Sequence, residues 1–247
     1  MTPKNLFDKA IAERYDRDHG GDYLVEVQAA VDFLHARAGQ GDVLEFAIGT
    51  GRIALPLAEK GLKVGGIELS APMVDQLRAK PGGDQIDVVI GDMAEAVFEG
   101  LFDLVVLVFN TIGNLTSQDA QIACFRNAAR HLKPSGRFVI ESQIPPLQDL
   151  AFGETLRAFT LSESHWGVDE IDVATQQAVS HHTWFEKGET RRFSLPYRYT
   201  WPSELDLMAR LAGLTLETRH SDWSDAPFDR LSRRHVSVWR KPSAPAD

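Results

Sequence analysis

Apolar and polar positions along this chain follow two periods, and the period changes from one element to the next. Leu24, Val27, Val31 and Leu34 recur at +3, +4 and +3, placing them on one helical face of a lead-in over residues 1–40. Gly39-Gln40-Gly41 stops that helix. The pattern then predicts strand 42–46, helix 52–60, strand 63–68, helix 71–79, strands 86–90 and 103–109, helix 118–132 and strand 137–142. Ile122, Phe125, Ala129 and Leu132 form the buried stripe of the last helix, and Pro134-Ser135-Gly136 turns the chain into the next strand. The near-continuous apolar run Leu104 to Val108 suits a parallel sheet covered on both faces. Strands alternating with helices predict a doubly wound α/β fold.

Pro145-Pro146 breaks the alternation. Phe193, Leu195, Tyr197, Tyr199 and Trp201 fall on one face of a predicted strand, with Arg192, Ser194, Arg198 and Thr200 on the other. Pro196 marks it as an edge strand, and Lys187-Gly188 turns a hairpin back to 178–186. A helix over 204–212 is expected, with Ser203 as N-cap, Asp206 three residues on and Gly213 closing it. Strands 214–219 and 236–240 complete the sheet. The expected divisions are an N-terminal helical cap (1–40), a core (41–142), an antiparallel substrate-side insertion (143–201), a C-terminal completion of the core sheet (202–241) and a tail (242–247).

Composition narrows the class. The chain has 247 residues, 43% of them hydrophobic, which is ample for one elaborated α/β domain. A formal charge of −9 argues against nucleic acid, because Arg191-Arg192 and Arg233-Arg234 are too short to make a basic stripe. No apolar run approaches the roughly 18 residues of a membrane span, and no signal peptide is visible. Cys124, the single cysteine, fits a reducing compartment. The expectation is a cytoplasmic protein with no membrane or nucleic-acid partner; a homodimer stays open.

The chemistry lies in Val43-Leu44-Glu45-Phe46-Ala47-Ile48-Gly49-Thr50-Gly51-Arg52-Ile53-Ala54. An apolar strand ends in an acid, crosses a glycine turn and resumes with helical spacing, so a helix N-terminus comes close to a ligand. A carboxylate there repels a pyrophosphate and attracts an ammonium or sulfonium, which points to S-adenosylmethionine (SAM). The same residues satisfy the dinucleotide pattern G-x-G-x-x-G/A, with Glu68 downstream, so an NAD(P)-dependent oxidoreductase is the rival. Glu45, a second strand-end acid at Asp92, and the lack of a Tyr-x-x-x-Lys pair weigh against it.

With Glu45, Gly49-Thr50-Gly51, Glu68 and Asp92-Met93 at successive strand ends, the chain resembles the class I SAM-dependent methyltransferases over residues 41–142. The resemblance implies a Rossmann-like, mostly parallel seven-stranded sheet with SAM as cofactor and S-adenosyl-L-homocysteine as product. Glu45 and the glycine loop would hold the methionine end, Glu68 the ribose and Asp92-Met93 the adenine, with Val108-Phe109-Asn110 beneath. Tyr23, Ala47, Arg52, Leu69 and Met73 complete the cofactor candidates. Ala47 replaces the first glycine of the motif. Tyr15-Asp16, Gly20-Gly21-Asp22-Tyr23 and Leu69-Ser70-Ala71-Pro72-Met73 are similar to the deoxyaminosugar N-methyltransferases, whose antiparallel insertion after strand five the 178–201 segment matches. Asn114 stands where those enzymes tend to have a His, which removes their usual base and counts against an aminosugar acceptor.

Tyr15, His19 and Asn114 are the catalytic candidates, and Tyr15, Asn114, Tyr199 and Trp201 the substrate-side ones. Met73 and Met93, taken alone, read as gap-filling core more readily than as cofactor contacts. His181-His182 would point to opposite sheet faces, so no metal site is expected. The implied reaction is in-line displacement onto an N or O atom of a small molecule, with residues 1–40 and 143–201 as lid. A SAM-binding regulatory protein without turnover stays beside it.

Overall fold

The computed structural model describes residues 6–18, 23–186 and 188–243. Helices α1 (Lys9–Asp18) and α2 (Tyr23–Ala38) precede the alternation β1 (Val43–Phe46), α3 (Ala54–Glu59), β2 (Val64–Glu68), α4 (Ala71–Arg78), β3 (Asp87–Ile90), β4 (Phe102–Leu107), α5 (Gln118–His131) and β5 (Leu132–Gln143). An antiparallel block follows: β6 (Leu156–Leu161), β7 (His165–Asp172), β8 (Gln177–Glu186) and β9 (Glu189–Arg198). Helix α6 (Pro202–Leu211), β10 (Thr215–His220) and β11 (Arg234–Arg240) end the chain.

The main sheet has seven strands in the order β10-β11-β5-β4-β1-β2-β3. β1 to β5 pair in parallel; β11 runs antiparallel to both β5 and β10. This is the predicted fold class. Strand order reverses beside β1, which opens a crevice at its carboxyl end. Helices cover both faces, so Val43, Leu44, Leu104, Val105 and Val106 are buried as the apolar runs require. One core gathers Phe125, Phe138 and Trp239 under α5 and α6. The other takes Val31 and Leu34 of α2 with Val43, Ile53 and Leu57. Among the described residues no helix is long and apolar enough to cross a membrane.

Three expectations change. The helix over 52–60 shortens to α3, because Arg52 and Ile53 still belong to the turn. Ser203 is not the N-cap of α6: Trp201 is, with Pro202 in the first turn, where its missing N–H costs nothing. Asp206 accepts hydrogen bonds from Arg219 and from Trp239 Nε1 instead. Residues 193–201 are also not one strand. β9 is the edge strand that Pro196 implied, but it ends at Arg198, whose side chain is buried rather than solvated. The hairpin β8–β9 turns where expected; β6 and β7 extend it to a four-stranded sheet in the order β6-β7-β8-β9.

Candidate active site

The turn after β1 is built for close approach. Ala47, Gly49 and Gly51 have φ of +52°, +58° and +80°. A Cβ on Gly51 would run into the Leu77 side chain, so this position admits only glycine. Met73, buried, has its Cε 3.4 Å from where a Gly49 Cβ would sit. Glu68 at the end of β2 accepts the N–H of Gly49 at 2.9 Å and of Ser70 at 2.8 Å, tying the glycine turn to the start of α4. Burial nonetheless raises its pKa, and lifts that of Glu45 well above the usual carboxylate value.

Glu45 is the telling residue. Its Oε2 is buried and has no hydrogen-bond partner among the described residues; nor does Nη1 of Arg52. A buried carboxylate oxygen and a buried guanidinium nitrogen left without partners are expensive unless a ligand completes them. An ammonium beside Glu45 and a carboxylate beside Arg52 would do so, and the amino-acid end of SAM carries both. The donor set therefore fits the cofactor. Arg52 lies over the ring of Phe109 at 4.2 Å and that of Tyr15 at 4.9 Å, and donates to the Tyr15 hydroxyl at 3.1 Å.

Tyr15 arrives on α1, which is fastened over the turn. Asp16 accepts from Thr50 Oγ1 at 2.6 Å and pairs with Lys80 at 2.5 Å, and the Phe7 carbonyl accepts from Ser70 Oγ. Burial raises the Tyr15 pKa against the opposing pull of Arg52, so the hydroxyl is protonated. On the other side, Phe109 and Asn110 both have φ of +58°, a left-handed pair that costs energy in non-glycine residues. β5 holds that pair: Glu141 accepts the Phe109 N–H at 2.6 Å, and Asn110 Oδ1 accepts from Ser142 Oγ at 2.7 Å. The four-stranded sheet bridges the two sides. Tyr197 of β9 packs toward Gly113 after β4, while Arg191 of β9 pairs with Asp18 of α1 at 3.0 Å and Glu186 of β8 with Arg14 at 2.6 Å.

Known proteins resemble this chain in sequence and fold. Residues 43–136 match the family described as methyltransferase domain. The cypemycin N-terminal methyltransferase of a Streptomyces species is 30% identical over 96% of this chain and 98% of its own. The chain belongs to the class I SAM-dependent methyltransferases. The CcbJ methyltransferase from Streptomyces caelestis superposes with a TM-score of 0.85 at 38% identity, over 97% of this chain and 98% of that one. The dTDP-3-amino-3,6-dideoxy-alpha-D-glucopyranose N,N-dimethyltransferase of Streptomyces fradiae is 29% identical over 81% of this chain and 74% of its own. Membership makes the protein an enzyme with SAM as cofactor and removes the nicotinamide and non-catalytic alternatives.

In this methyltransferase the cofactor candidates occupy one crevice edge: Glu45, Ala47, Gly49, Gly51 and Arg52 follow β1, and Glu68, Leu69 and Met73 follow β2. Asp92 follows β3, where one oxygen accepts the Ala94 N–H at 2.8 Å. Met93 packs in the core beneath α5, and Val108 is buried at the end of β4. Asn114 ends the short turn Thr111–Asn114 after β4. Tyr199 is drawn instead into a small apolar seam with Ile171, Ala178 and Leu147, and Trp201 is exposed at the start of α6. His19 lies outside the described residues, as does the Tyr23 side chain. Sequence reading missed Glu141, whose partner is 32 residues away, and the packing of Tyr197, two positions before Tyr199, toward Gly113.

Proposed function

We propose that this methyltransferase acts on an amine nitrogen of a small molecule. SAM supplies an electrophilic methyl on a sulfonium, so the protein's work is to bind, orient and dry the reactants. Glu45 and Arg52 would grip the amino-acid end of the cofactor. Glu68 would take the ribose hydroxyls, since backbone N–H groups of Gly49 and Ser70 hold its carboxyl in place at the end of β2. Asp92 and Met93 would face the adenine, and Phe109 and Asn110 would form the floor. Tyr15 from above and Asn114 from the side would flank the acceptor.

The observation that carries the amine reading is the acceptor side itself. The sheet face above the site bears Phe193, His182, His165 and Tyr197 around one partly buried acid, Asp169. Aromatic rings beside a carboxylate suit a cationic or neutral amine, and the cations nearby, Arg157 and Arg191, are themselves held by Asp149 and Asp18. The relatives named for N-terminal and sugar N,N-dimethyl transfer support it.

Calorimetry with SAM and S-adenosyl-L-homocysteine on wild type, Glu45→Gln and Arg52→Ala tests the cofactor assignments. A loss of affinity of tenfold or more is expected in both variants; unchanged affinity would remove both residues from the site. Mass analysis after incubation with matched amine and phenol acceptors tests the atom. Methylated phenol without methylated amine would overturn the nitrogen reading.

A further inference from the structure

On the inner face of the four-stranded sheet, the strand register sets His165 opposite Trp184, Gly167 opposite His182 and Asp169 opposite Ser180. Gly167 has no side chain, and the Phe159 ring occupies the space a Cβ would need. His165 and His182 can therefore meet across it: His165 Nε2 lies 3.0 Å from His182 Nδ1, with the ring planes 8° apart. The two imidazoles are bonded edge to edge, and Trp184 lies parallel to both at 4.9 and 5.1 Å between centroids. Arg191 stacks on Trp184 at 4.0 Å. His182 Nε2 is 3.2 Å from Ser180 Oγ, and Ser180 stands directly opposite Asp169, whose carboxyl its hydroxyl helps keep ionised.

The chemistry of the last group sets the direction of the chain. An ionised carboxylate only accepts, so Ser180 donates to Asp169. Ser180 Oγ then accepts from His182 Nε2–H. That leaves His182 Nδ1 bare, to accept from His165 Nε2–H. Every proton in the chain points at Asp169, and the neutral His165 presents a lone pair on Nδ1.

We propose that His165, His182, Ser180 and Asp169 form a proton relay that deprotonates an ammonium acceptor before methyl transfer. The proposal rests on the amine reading above. An ammonium has no lone pair with which to displace the sulfur. In the relay its N–H bond breaks and the proton bonds to His165 Nδ1, while the nitrogen keeps the electron pair. In concert, His165 passes its Nε2 proton to His182 Nδ1, His182 passes its Nε2 proton to Ser180, and Ser180 passes its proton to Asp169. One proton is moved, and Asp169 ends as the neutral acid. The freed lone pair then forms the N–CH3 bond as the methyl–sulfur bond breaks. After product leaves, the proton runs back along the same chain from Asp169 to His165 Nδ1 and from there to solvent, which restores the starting tautomers.

The surroundings suit both ends. Burial, then Arg191, lowers the His165 pKa, so its imidazole is neutral and able to accept. Burial raises the Asp169 pKa, so its carboxyl is readier to hold a proton. Among the described residues, the charged groups facing the chain are Arg191 of β9 with Asp18 of α1, Glu186 of β8 with Arg14 of α1, and Arg157 of β6, 4.0 Å from Asp169. Tyr197 of β9 lies beside Asp169, and His181 acts on it from the opposite face.

The test is the pH dependence of kcat between about pH 6.5 and 10 for wild type, Asp169→Asn and Ser180→Ala. The acceptors would be an aminodeoxyhexose nucleotide and a short peptide with a free N-terminal amine. Asp169→Asn keeps an oxygen for Ser180, and Ser180→Ala changes no charge, so melting temperature and SAM affinity should hold. The expected result is a fall of about tenfold or more in kcat near pH 7, recovering toward wild type at a pH where the acceptor is already unprotonated. A wild-type profile in both variants, or an equal loss at every pH, would overturn the relay alone. Failure of the wild type to methylate either amine would overturn the amine reading and the relay together.

Discussion

Glu141 Oε2 accepts the backbone N–H of Phe109 at 2.6 Å, and through that bond β5 holds the left-handed turn on which the cofactor would rest. The carboxyl is buried, and burial outweighs its backbone hydrogen bonds and raises its pKa from 4.5 to about 7. In the unfolded chain it titrates normally. Between those values the folded state keeps a proton that the unfolded state has lost, so stability falls as pH rises. The contribution is fully present below the unfolded value and is lost through pH 7, by an amount on the order of 3 kcal/mol. Glu141→Gln retains an acceptor for Phe109 and cannot ionise. Its stability relative to wild type should therefore improve from pH 5 to pH 8, as read by urea unfolding. Parallel curves would mean that the carboxyl titrates as it does in water.

The glycine turn makes a sharper comparison. Gly51 and Gly61 both have positive φ, +80° and +90°, but only Gly51 is enclosed: a Cβ there meets Leu77 and Leu55, whereas nothing lies within 4 Å of one on Gly61. Gly61→Ala should cost only the backbone strain, about 1 kcal/mol. Gly51→Ala adds overpacking of roughly 1–3 kcal/mol and should also weaken SAM binding at least tenfold. Equal losses in thermal unfolding would show that the turn yields freely at Leu77.

These particulars show why the core was legible and its edges were not. β1 and β4 are covered on both faces, so each reads as an apolar run, and the acids Glu45, Glu68 and Asp92 stand out near the ends of β1, β2 and β3. β6 and β7 are half-exposed on both faces; Trp166 and Leu161 look outward while Phe159 turns in over Gly167, and no clean alternation marks the strands. Arg198 and Glu141 are buried polar residues whose partners come from distant elements. A local pattern shows the residue type and hides the partner.

Arg198 joins three elements at the base of the insertion. Its guanidinium donates to Gln121 of α5 at 2.6 Å, to Gln176 at 2.9 Å and to Glu204 of α6 at 2.7 Å. Removing a buried charged partner typically costs about 3–5 kcal/mol, because the remaining charge stays uncompensated. Arg198→Met should lower the melting temperature markedly, and Arg198→Lys should not restore it, since an ammonium lacks the planar fork. Restoration by Lys would reduce the network to a simple charge contact.

The last prediction concerns how α1 is held over the site. Asp16 receives Thr50 Oγ1 and Lys80, and Lys80 also donates to the Thr50 carbonyl at 2.7 Å. Both ends of the ion pair are partly exposed, so its share of global stability is small, about 0–1 kcal/mol. Its effect should be local. Asp16→Asn keeps an acceptor for Thr50 but loses the charge for Lys80, which loosens α1 without disturbing either core. Limited proteolysis within residues 9–18 should quicken several-fold, and SAM affinity should fall because Tyr15 and Arg52 are no longer pressed together. The melting temperature should stay within about 2 °C of wild type. Protection by saturating SAM in the wild type, weakened in the variant, would tie the fastening of α1 to cofactor binding. Unchanged cleavage with unchanged affinity would show that Phe7 and Ser70 hold the helix without Asp16.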